Sequence, residues 1–127
     1  MTLQTNPVTW FEIPVEDLTR AKNFYETAFS IEISEQEMGP NKMGWLPMAM
    51  GVGGAAGTLI QDAGHTPSHE GTLVYLHVDS IDPTLAKIDS SGGKTLVPRT
   101  SIGEHGFFAH FEDTEGNRVA LHEAAAS

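Results

Sequence analysis

A strand followed directly by a helix is predicted for residues 8–29, because a two-residue hydrophobic period changes there to a helical one. Phe11, Ile13 and Val15 form one apolar face of the strand. From Leu18 onward, apolar residues recur at intervals of three and four, as on the buried side of an amphipathic helix. That side of the helix is predicted to cover the apolar face of the strand.

The opposite face of the strand carries Trp10 and Glu12. Asp17, just before the helix, is placed to accept hydrogen bonds from the first helical amides and to offset the helix dipole. If the helix covers the apolar face, Trp10 and Glu12 must point to a different surface. We expect a ligand to bind on that surface.

Three more strands are predicted in the first half of the chain. Residues 31–37 alternate between apolar and polar, and residues 43–50 form an apolar run that Pro47 restricts to an edge or a bulged strand. The glycine-rich segment 51–57 predicts a hairpin or bulge, since it lacks the Lys-Ser/Thr of a phosphate loop and no helix follows it. A short fourth strand is predicted at residues 57–61.

Residues 62–71 are polar and predict a linker that divides the chain nearly in half. His65 and His69 have the spacing of two metal ligands on one helical face, but Pro67 between them argues against a helix. We therefore expect both histidines to be solvated loop residues.

The second half repeats the pattern of the first. Residues 72–79 alternate like the first strand, Ser80 is placed to cap a helix, and Gly92 with Gly93 ends it. The motif at 15–18 matches the one at 78–81. Further strands are predicted at residues 94–98, 106–112 and 117–123, the last two joined by a tight turn.

The predicted fold class is therefore α+β, with two tandem strand-helix-strand-strand-strand modules at about residues 7–61 and 72–124 of a single domain spanning 1–127. A net charge of −10 with no basic cluster argues against a nucleic-acid partner. No apolar run is long enough for a membrane span. The absence of cysteine excludes thiolate chemistry and favours a cytoplasmic location.

Three motifs in order carry a resemblance to a known family: the first strand followed by DLTRAKNFYETAF, then GTLVYLHVDSID with its helix and GGK, and the closing DTEGNRVALHE. The chain resembles the vicinal oxygen chelate superfamily, which contains glyoxalase I, bleomycin and fosfomycin resistance proteins and extradiol dioxygenases. The resemblance implies paired βαβββ modules curled into an incomplete barrel that holds a ligand. It also implies a homodimer.

In metalloenzymes of this superfamily, one inward position on each of four strands supplies a metal ligand. The resemblance places these positions on Trp10, on Gly57 or Thr58, on Leu73 and on Ala120. Indole, methyl and isobutyl groups do not coordinate a divalent ion. We therefore expect no metal at this site and no other cofactor.

Strand alternation predicts the side chains that line the barrel interior. The predicted ligand-binding residues are Trp10, Glu12, Thr58, Leu73, Tyr75, His77, Ala120 and His122. Glu12, His77 and His122 are the candidate catalytic residues, although they could instead only satisfy one another by hydrogen bonds. The facing of His110 is not fixed by the pattern, and Arg118 could pair with Glu112 or Glu115 at the surface.

Three classes of function remain open. The first, which we favour, is metal-independent binding of a small aromatic or apolar molecule in the cavity. The second is a lyase or isomerase that uses a His/Glu pair for proton transfer, or a metal relocated to Glu12, His77 and His122. The third is a non-catalytic structural or regulatory domain.

Overall fold

The chain forms two four-stranded mixed sheets and two helices, in a computed structural model that describes residues 6–38, 41–49 and 53–126. The first module contains β1 (Trp10–Pro14), α1 (Leu18–Phe29), β2 (Ser34–Met38), β3 (Asn41–Trp45) and β4 (Ala56–Gln61). The second contains β5 (Tyr75–His77), α2 (Ile81–Ser90), β6 (Lys94–Ser101), β7 (Phe107–Glu112) and β8 (Arg118–Glu123). Among the described residues, no helix is long and apolar enough to cross a bilayer.

The two sheets have the same topology. Their strand orders are β1-β4-β3-β2 and β5-β8-β7-β6, with the first pair parallel in each and the others antiparallel. The sheets do not close into a barrel. The predicted α+β fold with two βαβββ modules is therefore confirmed. Residues 50–52, which belong to the predicted apolar run and glycine-rich turn between β3 and β4, lie outside the described residues.

The helices pack on the face that the first strand was predicted to bury. Ile13 and Val15 are buried in one core cluster together with apolar residues of both helices. The Phe111 ring of β7 lies 6.1 Å from that of Phe24 and 6.5 Å from that of Tyr25 (centroid distances). The helix of the first module thus packs directly against the second sheet, so both modules share one core.

The N-termini of the helices are held in equivalent ways. Asp17 accepts a hydrogen bond from Arg20 N, as predicted, and Gln61 Oε1 at the end of β4 accepts one from Leu18 N at 2.8 Å. Ser80 occupies the corresponding position before α2, but its side chain makes no capping hydrogen bond. Glu123 Oε1 at the end of β8 takes that role and accepts a hydrogen bond from Ile81 N at 2.8 Å.

The turn between β7 and β8 fastens the second module to the β1–α1 junction. Asp113 accepts hydrogen bonds from the Tyr25 hydroxyl at 2.7 Å and from Asn117 Nδ2 at 2.9 Å, while Asn117 Nδ2 also donates to Pro14 O at 2.7 Å. Glu115 forms an ion pair with Arg20 at 2.9 Å. Burial acts to raise the pKa of Glu115, but the hydrogen bonds it accepts, first from Arg20, lower it to about 2.

Two predicted strands start three residues later than expected. The second begins at Ser34 rather than residue 31, because Ser30 adopts a left-handed conformation (φ 54°) and Ile33 N donates to the Glu26 carboxylate. The fifth strand comprises only Tyr75–His77 instead of starting at residue 72. Before it, the chain is joined to β8 by two separate hydrogen bonds, from Arg118 N to Ser68 O and from Ala120 N to Val74 O. Leu73 therefore precedes the strand.

Candidate ligand site on the open sheet face

Four residues of the first sheet share the face turned away from the helices. Glu12 pairs with Thr58, and Thr58 pairs with Trp45 on β3. The Trp10 ring meets the Trp45 ring edge to face, with centroids 4.4 Å apart. We call Trp10, Glu12, Trp45 and Thr58 the indole wall.

Two polar atoms of the indole wall are buried and have no hydrogen-bond partner among residues 6–38, 41–49 and 53–126. Trp45 Nε1 and Thr58 Oγ1 have no hydrogen-bond partner within the part of the chain that the structure describes, and Thr58 is 0% exposed. Buried donors and acceptors in native proteins are nearly always satisfied, so an unpartnered pair in an aromatic setting indicates a place for a ligand or water.

The strand register also decides which residue of β4 faces inward. Gly57 pairs with Phe11, and a Cβ on Gly57 would overlap the Phe11 ring on the helix side of the sheet. Thr58 faces the other way, with Glu12. Of the two positions that the resemblance left open, Thr58 is therefore the one on the open face.

The second sheet also carries aromatic side chains on the face turned away from the helices. Ala120 on β8 pairs with Tyr75 on β5 and with His110 on β7. The His110 ring lies 5.4 Å from the Phe108 ring and 6.1 Å from the Tyr75 ring, both edge to face. His110, whose facing the sequence did not fix, therefore points to the open face. We call Tyr75, Phe108, His110, Arg118 and Ala120 the histidine wall.

Arg118 contacts His110 rather than a carboxylate. Its Nη1 lies 2.9 Å from His110 Nδ1, whereas Glu115 pairs with Arg20 and Glu112 with His69. The predicted surface pairing of Arg118 with Glu112 or Glu115 is therefore wrong. Burial lowers the pKa of His110, and the nearby charge of Arg118 lowers it further.

The three candidate catalytic residues each have a different neighbour. Glu12 Oε1 lies 3.6 Å from His65 Nε2, His77 Nε2 lies 3.5 Å from Asp79, and His122 Nε2 lies 2.7 Å from the His105 carbonyl oxygen. They do not satisfy one another, so that interpretation is wrong. In the described ranges no three His, Asp or Glu side chains are close enough to hold a metal ion, so the relocated metal trio has no structural support.

The linker histidines are exposed loop residues that also contact carboxylates. His65 Nδ1 lies 2.7 Å from Asp62, and His69 Nε2 lies 2.7 Å from Glu112. The hydrogen bond with Asp62 raises the pKa of His65, and Glu12 adds to the effect. Both histidines lie in the loop and are exposed, as predicted, and their contacts with carboxylates link the linker to β1 and β7.

A cavity of about 240 Å³ lies between linker residues and the strands β1 and β8, and none of the aromatic rings of the two walls is in its lining. Its lining includes Glu12 of the indole wall and Arg118 of the histidine wall, together with Val74 and Ser68. A larger cleft of about 640 Å³ is lined by Phe29, Leu46 and Leu76 of the helix side, and the predicted site residues Tyr75 and His77 also line it. We place the candidate site on the open face, because the unpartnered buried polar atoms of the described residues lie there.

The donor set does not fit the metal that the resemblance implies. Trp10, Leu73 and Ala120 offer no lone pair to a divalent ion, and the Thr58 hydroxyl alone is a weak ligand. The residues at these four positions therefore do not fit a divalent ion.

Sequence reasoning missed Trp45 and Phe108 as site residues and left the facing of His110 open. Trp45 shares its face with Met43 by simple alternation, which would have placed it correctly once the register with Thr58 was known. His110 and Phe108 needed the register between β7 and β8, which the turn sequence does not specify by itself.

The comparisons with known proteins agree with this architecture. Residues 8–121 match the model of the Glyoxalase/Bleomycin resistance protein/Dioxygenase superfamily. A glyoxylase-like domain-containing protein of Didymella fabae is 31% identical over 121 residues, which cover 90% of this chain and 91% of that protein.

Solved structures with lower identity show the same fold. A glyoxalase/bleomycin resistance protein from Albidiferax ferrireducens superposes with a TM-score of 0.72 at 14% identity, covering 94% of this chain and 100% of the other. An antibiotic binding protein from a Streptomyces species superposes with a TM-score of 0.67 at 20% identity, covering 98% and 100%. With its two βαβββ modules and a family match over most of its length, the chain belongs to the Glyoxalase/Bleomycin resistance protein/Dioxygenase superfamily.

Proposed function

We propose that this protein binds a small, planar aromatic molecule on the open sheet face, without a metal. The observation that carries the proposal is the indole wall, where the Trp10 and Trp45 rings meet beside a buried indole N–H and a buried hydroxyl, neither with a partner among the described residues. Aromatic walls with a few oriented polar groups are typical of small-molecule sites.

The ring surfaces of the two walls support an aromatic ligand. Trp10, Trp45, Tyr75 and Phe108 present ring surfaces, and Tyr75 is 51% exposed. A large exposed aromatic side chain in a site of this kind is a surface on which a ligand ring can stack. The Streptomyces protein of the same fold, described as antibiotic binding, supports this class of ligand.

Intrinsic fluorescence tests the proposal directly. The chain has two tryptophans, and both lie in the indole wall. A panel of planar aromatic compounds should contain members that quench this fluorescence saturably and raise the melting temperature. A panel without any such compound would contradict the proposal.

The proposed absence of a metal can be tested by elemental analysis and by chelation. Elemental analysis of purified protein should find no stoichiometric Zn, Ni, Mn or Fe, and a chelator should leave the melting temperature unchanged. The reason is that Trp10, Leu73 and Ala120 cannot ligate. About one ion per chain, lost together with stability on chelation, would refute it.

We also propose a homodimer, because the half-open sheet pair leaves edge strands and the open face uncovered. Light scattering at micromolar concentration should give twice the mass of the 13.7 kDa chain. A monomer would refute it. The cytoplasmic location and the absence of a nucleic-acid partner stay predictions from composition and charge.

Proton transfer is the second candidate function. It is favoured by one observation, the Glu12–His65 pair at 3.6 Å beside the cavity that also contains Arg118. This His/Glu pair differs from the predicted ones, since its histidine comes from the linker. Chemical change of a bound probe, followed by chromatography, distinguishes catalysis from binding alone.

A further inference from the structure

We propose that His110 recognises a hydrogen-bond acceptor oxygen, such as a carbonyl, on the planar aromatic ligand, and that Arg118 is the positioning residue that keeps His110 in the required tautomer. This inference rests on the proposed function and adds a chemical requirement to it. The ligand needs both a ring surface and an acceptor oxygen at the ring edge.

The hydrogen-bond partner of the His110 ring determines which tautomer the ring adopts. A guanidinium can only donate hydrogen bonds, so the 2.9 Å contact with Arg118 Nη1 makes His110 Nδ1 an acceptor. A neutral imidazole that accepts at Nδ1 carries its proton on Nε2. The lowered pKa of His110 favours this neutral form at neutral pH.

The resulting Nε2–H donor has no hydrogen-bond partner among the described residues. His110 Nε2 is buried and makes no hydrogen bond with any part of the chain that the structure describes. The rings of Phe108 and Tyr75 flank the imidazole edge to face, at 5.4 and 6.1 Å. A buried N–H between aromatic rings, without a partner among the described residues, is a donor that an acceptor atom of a bound molecule or of water can satisfy.

The charges around the pair leave this donor available. Glu112, which is opposite Arg118 in the strand register, is paired with His69 at 2.7 Å. Among the described residues, no carboxylate lies within 4.0 Å of Arg118. Arg118 therefore forms no ion pair there that would compete with its contact to His110. Ligands without an acceptor would leave the Nε2–H unsatisfied and bind more weakly.

A matched pair of probes tests the requirement. Fluorenone and fluorene are planar tricyclic molecules of similar shape, and only fluorenone has a carbonyl oxygen. The dissociation constants of both should be measured by calorimetry for the wild type and for His110→Phe. We expect fluorenone to bind the wild type about ten-fold or more tightly than fluorene. The preference, which is the ratio of the two dissociation constants, should fall below about three-fold in His110→Phe, whatever the affinity of that variant for fluorene.

The outcomes separate the two proposals. Equal binding of both probes to the wild type, or a preference that survives in His110→Phe, overturns the role of His110 and leaves aromatic binding intact. Binding of neither probe, nor of any panel compound, overturns the proposed function and this inference with it.

A second measurement does not depend on any ligand. Imidazole ¹⁵N chemical shifts should identify His110 as the Nε2–H tautomer in the wild type and in Arg118→Lys, which retains a donor. Arg118→Met should populate the Nδ1–H tautomer and reduce the preference for fluorenone. A wild-type ring with its proton on Nδ1 would overturn the inference, whatever the stability of the variants.

Discussion

Asp113→Ala should destabilise the protein by about 3–5 kcal/mol, more than any other single carboxylate substitution. Asp113 is 3% exposed and accepts hydrogen bonds from the Tyr25 hydroxyl, Asn117 Nδ2 and the backbone amides of Glu115 and Asn117. Each buried donor left without a partner costs about 1–3 kcal/mol. Burial of the Asp113 carboxyl raises its pKa, because desolvation disfavours the charged form. The substitution removes this desolvation penalty, which offsets part of the cost.

Chemical denaturation of the variant beside Asp79→Ala measures this effect. The Asp79 side chain is fully exposed, so its removal should change the free energy of unfolding by less than about 0.5 kcal/mol. Tyr25→Phe removes only one donor and should cost about 1 kcal/mol. If Asp113→Ala were no more destabilising than Asp79→Ala, the turn would not hold the modules together as described.

The Asp113 network also affects the geometry of the candidate site. Asn117, fixed by Asp113, also donates to Pro14 O at the end of β1, and Arg118 follows it directly in β8. The same turn therefore sets the position of β1, with the indole wall, relative to β8, with the histidine wall. We expect loss of the Asp113 network to weaken binding together with stability.

Trp10→Ala should weaken binding of an aromatic ligand by about 2–3 kcal/mol, roughly 30- to 150-fold in the dissociation constant. The loss combines the buried area of one face of the indole with the edge-to-face contact that orients the Trp45 ring at 4.4 Å. Calorimetry with a compound selected from the fluorescence panel gives the affinity without relying on tryptophan emission.

Two variants accompany this measurement. Trp10→Phe keeps a ring at the position and should lose less than half of the binding free energy that Trp10→Ala loses. Met48→Ala removes an exposed apolar side chain outside both walls and should leave the affinity unchanged. Equal affinity of Trp10→Ala and wild type would remove the indole wall from the site.

The fold could be predicted from the sequence because its signals are local. The change of hydrophobic period at residues 8–29 and its repetition after the linker specify two strand-helix units, and the parallel β1–β4 and β5–β8 pairs follow from the module plan. The facing of Trp10 and Glu12 followed from alternation alone, since the helix had to cover Ile13 and Val15.

The chemistry of the site could be predicted only in part, because it depends on contacts between distant strands. Alternation placed Tyr75 and His77 on one face, but not the partner of each side chain. His65 reaches Glu12 through the path of the linker, and Arg118 reaches His110 through the β7–β8 register. Neither contact leaves a periodic signal in the sequence.

The two indole N–H signals of Trp10 and Trp45 provide the most direct test of ligand binding on the open face. They are the only such signals of the chain and are readily resolved in a proton–nitrogen correlation spectrum. Titration with a compound that raises the melting temperature should shift both signals, with the larger change for Trp45, whose Nε1–H has no partner among the described residues. A compound that stabilises the protein while both indole signals stay unmoved would contradict the proposed site.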